Sequence, residues 1–470
     1  MKRLILFGLL FALGGELLRA HEGVWSEEDI VTQERAQDLT FLPDGRALWV
    51  KTTVSLKENR ELHHLWLTEL GGERRQLTRG TVSDRGPQVS PDGKLVAFLS
   101  DRPFPKEGPE AKGQQVWLLP VEGGEPYPLT RQPKGVKAFA FRDNQRVLFL
   151  AEDAPDALDR QREKAKDEAQ VVEDEERQER IRLFQVELAT GKVQRLTTNT
   201  SPITALAVSR NGRWVAYQIN VSPSFEADAR RKPEAYLLDL QTGTTHRILA
   251  DRRATPTAFR FTPDSRFLAF TETFSSDPQW EGAGVEKLYV LNLETQQVSE
   301  VPLDWPRGLS SPWAYAVAPQ GFWVLLADGT RNLLAFVQET ADGFHRQEPF
   351  AEHVQALAVS QDGQHLAVLH STPQQPPQWW RLGTRDGKLV RTDQLTDLNP
   401  QLADKPAMRA EVIRWTGARD ETVEGILYYP LNYQAGKRYP LVVMIHGGPA
   451  GVDQLEWEAS WAYAPQLYAQ

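Results

Sequence analysis

The 470 residues are too many for one ordinary hydrophobic core, so the chain is expected to form at least two domains or one large repetitive domain. A formal net charge of -9 argues against nucleic acid as a partner, because phosphate binding needs a basic patch. The sequence contains no cysteine, which excludes disulfides, thiolate metal sites and cysteine nucleophiles.

The N-terminal segment has the pattern of an export signal. Lys2 and Arg3 precede an apolar run over residues 4–13, and Ala20 is a suitable cleavage point that makes His21 the mature start. The apolar run is far shorter than the ~20 residues that a membrane span needs. We therefore predict a signal peptide over residues 1–20 and an exported protein, periplasmic or secreted, without a membrane span. The alternative is a buried N-terminal helix.

A turn motif recurs seven times along the chain at intervals of about fifty residues. Each copy places an apolar residue before two or three turn-forming residues and a glycine or its substitute, as in Val89-Ser90-Pro91-Asp92-Gly93. Proline presets the first turn position, aspartate bonds its own backbone and glycine supplies a positive φ, so each copy predicts a tight hairpin. The fourth positions of the seven copies are Asp44, Asp92, Asn144, Asn211, Asp264, Gln320 and Asp362.

Two further features complete each repeat. A nearly all-apolar run, such as residues 95–99 or 366–369, follows most of the turns, as expected for a strand buried on both faces. A second strand-like run then leads to a glycine turn and often to a Leu-Thr pair, as in Leu77-Thr78. Each unit is thus two hairpins, and the seven units predict a seven-bladed β-propeller over residues 21–400. The alternatives are a β-solenoid, whose repeats are shorter, and a run of sandwiches, which would not return one turn at one spacing.

The longest interval between turns holds an insertion over residues 152–180 that is dominated by charged side chains. Within it, residues 156–171 are predicted to form an exposed helix. The favoured interpretation is a solvated excursion from a blade edge, and the alternative is a docking site.

After residue 400 the repeat ends and the pattern changes. Residues 408–415 and 423–429 predict two strands, with Asp420 in the turn region between them. Residues 439–445 are a continuous apolar run, which predicts a strand in the middle of a covered sheet. Residues 453–470 are predicted to be helical. The side chains that this helix offers for packing are Leu455, Trp457, Trp461 and Leu467.

The predicted strand 439–445 runs directly into His446-Gly447-Gly448-Pro449. A buried strand that ends in His-Gly-Gly resembles the oxyanion loop of α/β-hydrolases, in which glycines let backbone amides turn toward a developing negative oxygen. One such donor lowers the reaction barrier by about 3 kcal/mol. The alternative is a glycine-rich turn without a catalytic role.

Four features in this order resemble the prolyl oligopeptidase family of serine peptidases. They are the seven repeats, residues 423–430 (Val-Glu-Gly-Ile-Leu-Tyr-Tyr-Pro), the apolar strand and the 446–449 motif. Within the family, the layout looks most like the acylaminoacyl-peptidase and dipeptidyl-aminopeptidase branch. The resemblance covers nearly the whole mature chain. It implies a mainly β fold, in which a seven-bladed β-propeller is followed by the incomplete start of an α/β-hydrolase domain over residues 401–470.

The resemblance also implies a chemistry. Such a protein is a serine exopeptidase or oligopeptidase that hydrolyses short peptides through an acyl-enzyme, needs no cofactor, and uses its propeller to limit access. The oxyanion loop would comprise His446, Gly447, Gly448 and Pro449, with the Gly448 amide as the donor. His446 occupies the position of the motif histidine, is not the triad base, and is expected to shape the loop.

The sequence departs from the family in one respect. No Gly-x-Ser-x-Gly segment occurs in it, and Gly308-Leu309-Ser310-Ser311-Pro312 fails at its last position. We therefore find none of the catalytic triad in this sequence and expect the triad after residue 470. On this interpretation the chain is incomplete and is expected to be inactive alone. The alternatives are a non-catalytic periplasmic propeller that binds a protein partner, as TolB-like propellers do, and an esterase of the same hydrolase fold.

Two further groups of polar residues were weighed as sites. The pair His63-His64 is predicted to occupy an exposed strand position and not a metal site, because no carboxylate or cysteine lies at ligand spacing. Members of the family that grip a free peptide N-terminus use acidic side chains. Glu272 and Glu281 lie near Trp280, but the sequence assigns neither of them to that role.

Overall fold

Seven antiparallel sheets follow one another along the chain, and an eighth sheet of two strands comes after them. The computed structural model describes residues 23–104, 111–167, 178–222, 231–277, 284–386, 388–448 and 451–470. The predicted signal peptide and the mature start at His21 lie outside these ranges. Within them, no helix combines the length and the apolar character that crossing a bilayer requires.

Each of the first four sheets contains four strands in sequence order. Their bounds are β1 (Arg35–Phe41), β2 (Ala47–Ser55), β3 (Arg60–Thr68) and β4 (Arg74–Gln76); β5 (Asp84–Val89), β6 (Leu95–Ser100), β7 (Gln115–Pro120) and β8 (Tyr127–Pro128); β9 (Val136–Asp143), β10 (Arg146–Glu152), β11 (Ile181–Glu187) and β12 (Val193–Arg195); and β13 (Ile203–Val208), β14 (Trp214–Ile219), β15 (Glu234–Asp239) and β16 (Thr244–Ile248).

The remaining sheets repeat the pattern, with one short extra strand, β25, in the sixth. Their bounds are β17 (Thr257–Phe261), β18 (Phe267–Phe274), β19 (Val285–Asn292) and β20 (Val298–Val301); β21 (Tyr315–Ala318), β22 (Gly321–Asp328), β23 (Arg331–Thr340), β24 (Gly343–Arg346) and β25 (Ala351–Glu352); β26 (Val354–Val359), β27 (Leu366–Thr372), β28 (Gln375–Arg385) and β29 (Lys388–Gln394); and the hairpin β30 (Ala410–Thr416) and β31 (Thr422–Tyr428).

The sheets are arranged as a closed ring of blades. The first strands of neighbouring blades pack against each other: β13 contacts β9 and β17, and β1 contacts both β5 and β26. Because β1 touches the second and the seventh blade, the ring closes between the ends of the propeller. The first strand of each blade therefore lies innermost, around the axis. The predicted mainly β fold with a seven-bladed propeller is confirmed.

The recurring turn of the sequence joins the first two strands of each blade, as predicted. In the second blade the Ser90 hydroxyl donates to Asp92 at 2.7 Å and accepts from the Leu95 amide at 3.0 Å. In the seventh blade Ser360 makes the same two bonds, to Asp362 and from the His365 amide. The serine thus closes the turn, and the glycine that follows the acidic residue has a positive φ.

The recurring Leu-Thr pair has an equally local explanation. In four blades the threonine hydroxyl accepts a hydrogen bond from a backbone amide of the third strand, at 2.9 to 3.0 Å. In each of these blades the fourth strand ends two residues before the threonine, so the hydroxyl replaces a missing ladder partner for a buried amide. The four buried threonines are Thr78, Thr130, Thr197 and Thr396.

Side chains close the ring between the first and the seventh blade. Buried Thr68 on β3 donates to the Leu395 carbonyl at 2.7 Å and accepts from the Trp49 indole at 3.0 Å. Arg74 donates to the same carbonyl and to that of Gln394, at 3.2 and 2.8 Å. An apolar cluster that includes Trp49 and Trp379 lies beneath these bonds.

The charged insertion forms an exposed helix that is shorter than predicted. Helix α2 (Ala157–Ala165) begins at a capping box, in which Asp156 accepts from the Asp159 amide, and buries none of its residues. It ends because Lys166 takes a left-handed conformation with φ 53°. The remainder of the predicted helix, from residue 168, lies outside the described residues.

Within the described ranges, the other helical segments are short. They are α1 (Glu27–Val31), α3 (Pro465–Tyr468) and two single 3₁₀ turns, Pro400–Leu402 and Ala418–Asp420. The second 3₁₀ turn joins β30 to β31, so the two predicted strands with Asp420 in the turn between them are confirmed.

Candidate functional site

The chain enters and leaves the propeller at one point, where Glu34 contacts Asn399. Asn399, which is buried and has φ 60°, donates from its backbone amide to the Glu34 carboxylate at 3.0 Å. Its side chain accepts from the Glu34 amide at 2.7 Å and donates to the Glu34 carbonyl at 2.9 Å. These three bonds fix where the residues after 400 start on the propeller surface.

The residues after 450 lie on one face of the propeller. The Leu455 amide donates to the Thr330 carbonyl at 2.7 Å, in the hairpin between the second and third strands of the sixth blade. The Trp457 amide donates to Ser371 at 3.1 Å, and its indole donates to Gln33, just before β1, at 2.8 Å. This face therefore carries the second-to-third-strand hairpins and the starts of the innermost strands, and we call it the hydrolase face.

An apolar cluster joins the N-terminal segment to the residues after 400. Trp25 and Trp457 have ring centroids 5.7 Å apart, and Ile30, Leu402 and Ala464 are buried with them. Polar bonds flank the cluster: Trp25 exchanges hydrogen bonds of 2.9 Å with the Gln470 side chain. The N-terminal helix α1 is thus part of the unit that sits on the hydrolase face.

The predicted buried strand over residues 439–445 is wrong. The structure gives this segment no strand pairing, and its apolar side chains face solvent, with Leu441 74% and Ile445 82% exposed. A central strand needs a hydrogen-bonding partner on each edge, and the described residues provide none for it.

The predicted helix over residues 453–470 is also wrong, except for the single turn of α3. Its apolar side chains do not form one helical face. Trp457 packs against the propeller and the N-terminal segment, whereas Trp461 is 84% exposed. Individual contacts with the hydrolase face hold this segment in an irregular conformation.

The predicted oxyanion loop follows the unpaired segment. His446 is exposed, and its Nδ1 lies 3.1 Å from the Gly447 carbonyl oxygen. Gly448 has φ 149°, a conformation that favours glycine, and no atom approaches the position of a Gly447 Cβ within 4 Å. Pro449 lies outside the described residues. The space beside the Gly447 Cα is therefore open, whereas Gly451 lies against the Gly447 carbonyl oxygen.

The prediction of an exposed strand position for His63-His64 is wrong, because both side chains are buried. His63 Nδ1 lies 3.0 Å from the Ser83 hydroxyl, and its Nε2 lies 3.6 Å from the Glu61 carboxylate. No local pattern indicated this Ser–His–Glu arrangement, since Ser83 belongs to the next blade.

That arrangement resembles a catalytic triad in composition but not in environment. Arg85 donates to the Ser83 hydroxyl at 2.9 Å, which opposes its use as a nucleophile. Burial, and secondarily the Arg85 charge, lower the pKa of His63 to about 4, far below that of a base matched to neutral pH. The group therefore fastens the first blade to the second.

Of the two acidic residues named in the sequence analysis, the structure describes Glu272. Glu272 is buried and accepts from Arg252 Nε at 2.8 and 3.0 Å, so it is held in an ion pair. Glu281 and Trp280 lie outside the described residues. Among the residues that are described, no three histidine, aspartate or glutamate side chains are grouped as metal ligands would be.

Comparison with known proteins finds similarity to several proteins that are named as peptidases. The chain is 25% identical over 454 residues to a Bacillus subtilis protein named uncharacterized peptidase YuxL, covering 90% of this chain and 66% of that protein. It is 20% identical over 477 residues to dipeptidyl-peptidase 5 of Porphyromonas endodontalis, covering 96% and 66%. The chain thus spans about two thirds of the length of these relatives. No protein-family model matches it.

Solved structures share the fold. An acylaminoacyl peptidase in complex with Z-Gly-Gly-Phe-chloromethyl ketone matches with a TM-score of 0.69 at 16% identity, over 95% of this chain and 65% of that one. The uncomplexed acylaminoacyl peptidase of Pyrococcus horikoshii matches with a TM-score of 0.68, at the same identity and coverage.

Proposed function

Because the chain belongs to the prolyl oligopeptidase family, we propose that the protein is a serine-type peptidase that hydrolyses short peptides through an acyl-enzyme. The observation that carries this proposal is the position of the 446–448 loop. It belongs to a unit of non-propeller residues that is fixed to one face of a seven-bladed propeller. A propeller that served only as a binding module would have no use for that unit.

The Gly448 amide is proposed to stabilise the oxyanion. When a serine attacks a peptide carbonyl, the oxygen gains negative charge, and a preorganised amide stabilises that charge more than it stabilises the substrate. Glycine suits this position because no side chain obstructs the approach of the carbonyl oxygen. His446 is proposed to shape the loop and not to act as the base, which the family places elsewhere.

The propeller is proposed to limit access to the catalytic chamber. On the face opposite the hydrolase face, Arg210 of the fourth blade donates to the Gln361 carbonyl of the seventh blade at 3.1 Å. Blades four and seven lie across the ring from each other, so this bond spans the axial mouth, beside a cavity of about 70 Å³. This bond across the mouth supports entry of peptides from the hydrolase side, and the proposed chamber would exclude large proteins by size.

The 470 residues contain no Gly-x-Ser-x-Gly segment, so this chain by itself is proposed to be inactive. We also propose that the protein is exported, with residues 1–20 removed, on the strength of the signal-like N-terminus. The product of the gene's whole reading frame is proposed to carry the activity.

The test compares glycine variants in that product, with dipeptidyl and N-acetyl-aminoacyl p-nitroanilides as substrates and a p-nitrophenyl ester as the esterase arm. Gly448→Ala is expected to lower kcat by about a hundredfold with little change in KM, because one oxyanion donor is displaced. Gly436→Ala is the control, since Gly436 shares the positive φ of Gly448 and a Cβ at Gly436 would meet no atom within 4 Å. Hydrolysis of the ester alone, or equal rates for the two variants, would contradict the proposal.

A further inference from the structure

Arg260 is an arginine without an acidic partner. It lies on β17, the innermost strand of the fifth blade, and its side chain is half-buried. Its guanidinium carbon lies 4.7 Å from the Tyr315 ring centroid and 5.9 Å from that of Trp313. Among the residues that the structure describes, no carboxylate forms an ion pair with it and no acceptor receives a hydrogen bond from it.

Arg252, in the connection that leads into the fifth blade, has the carboxylate partner that Arg260 lacks. It also lies against a ring, 4.4 Å from the Tyr289 centroid, but its guanidinium is paired with buried Glu272. A partly desolvated charge without a partner is unfavourable, and desolvation does lower the pKa of Arg260 from its ordinary value. The five N–H donors of Arg260 thus lie in a low-dielectric setting that an anion from outside could complete.

Of the two aromatic residues beside Arg260, one is buried and the other is exposed. Tyr315 is fully buried, and its hydroxyl donates to the carbonyls of Ala258 and Ala269, so its ring is fixed beneath the guanidinium. Trp313 is 61% exposed. It precedes β21, and the starts of the innermost strands lie on the hydrolase face. The indole therefore lies toward the side from which peptides are proposed to enter, and the arginine lies beside it.

We propose that Arg260 and Trp313 form a subsite for a peptide carboxylate, in which the guanidinium binds the carboxylate through paired N–H donors and the indole packs against the adjoining side chain. This inference rests on the proposed peptidase function and adds a preference for short anionic peptides. The carboxylate belongs either to the C-terminus of the peptide or to an acidic side chain. A site with one cation beside an apolar ring fits a peptide that carries one carboxylate. A polyanion would need several basic groups for binding.

The experiment measures binding of three peptides to the 470-residue chain by isothermal titration calorimetry. Ala-Ala-Phe with a free carboxylate is compared with Ala-Ala-Phe-amide and with Ala-Glu-Phe-amide. We expect the free acid to bind at least about tenfold more tightly than the plain amide, as a charge-assisted pair would give. Tighter binding of the glutamate-containing amide would support the subsite and assign the carboxylate to a side chain.

Variants connect the preference to the arginine. Arg260→Gln is expected to abolish the difference between acid and amide, and Arg260→Lys, which keeps the charge without the planar fork, to reduce it. Arg266→Gln is the matched control, because Arg266 is an exposed, paired arginine at a turn of the same blade. If Arg260→Gln does not fold, the Arg260→Lys variant and the unmodified chain still show whether the preference for the acid depends on Arg260.

Two results would overturn the inference. Equal affinities for the acid and both amides in the unmodified chain would do so while leaving the peptidase proposal intact, since hydrolysis by the whole gene product is measured separately. An acid preference that persists in the Arg260 variants would show that another group binds the carboxylate.

Discussion

Thr68→Val tests how the propeller ring is closed. The substitution keeps the shape of a buried side chain but removes the hydroxyl that donates to the Leu395 carbonyl in the last blade and accepts from the Trp49 indole. The Trp49 indole is then left buried without an acceptor. Leu395 keeps a donor, Arg74, at 3.2 Å.

The expected loss of stability follows from these contacts. A buried donor left without an acceptor costs about 1–3 kcal/mol, and the loss of the bond to Leu395 adds about 1 kcal/mol. The free energy of unfolding should therefore fall by about 2–4 kcal/mol. In equilibrium unfolding with urea, monitored by tryptophan fluorescence, the midpoint should move to a lower concentration with the same slope.

Thr52→Val supplies the matched control in the same blade. Thr52 is also buried, but its hydroxyl has no hydrogen-bond partner among the described residues, so its removal should leave stability unchanged or raise it slightly. Equal midpoints for the two variants would show that the bonds of Thr68 contribute nothing to ring closure.

Three further predictions concern stability and processing. Burial keeps His63 neutral in the folded state, with a pKa of about 4 against 6.5 unfolded, so its contribution is complete above pH 6.5 and falls as the pH drops toward 4. The loss at pH 5 should be roughly 2 kcal/mol, and a His63→Gln variant should show a flatter dependence of its melting temperature on pH between 7 and 5. Gly321→Ala should destabilise by at least about 2 kcal/mol in thermal unfolding, because φ is 144° and a Cβ would overlap the Val337 carbonyl, whereas Gly243→Ala, with open space around it, should lose less. N-terminal sequencing of the secreted or periplasmic protein should begin at His21, and an N-terminus that still contains residues 1–20 would contradict export by cleavage.

The propeller could be predicted because its repeat is built from local bonds. The serine at position 90 bonds within its own turn, and the threonine at position 78 bonds to the strand that its own hairpin joins. Such contacts involve residues close in sequence, so they appear in the sequence as a repeated motif. The hairpin β30–β31 was predictable for the same reason, since two strands and one turn suffice to form it.

The errors concern contacts between residues distant in sequence. The apolar run 439–445 has the composition of a central strand, but composition does not supply the neighbouring strands that such a strand requires. Residues 453–470 have helix-forming composition, yet Trp457 is held by Ser371 and Gln33 of the propeller. His63 is buried because Ser83 and Arg85 of the next blade surround it, which no local pattern reports.

We propose that the seven-bladed propeller supports a serine peptidase on its hydrolase face. The most direct measurement is labelling of the whole gene product with a fluorophosphonate, followed by mass spectrometry of the modified peptide. The account predicts one labelled serine within a Gly-x-Ser-x-Gly segment, outside residues 23–400, and loss of peptide hydrolysis in step with labelling. A labelled serine within the blades, or undiminished hydrolysis after complete labelling, would contradict it.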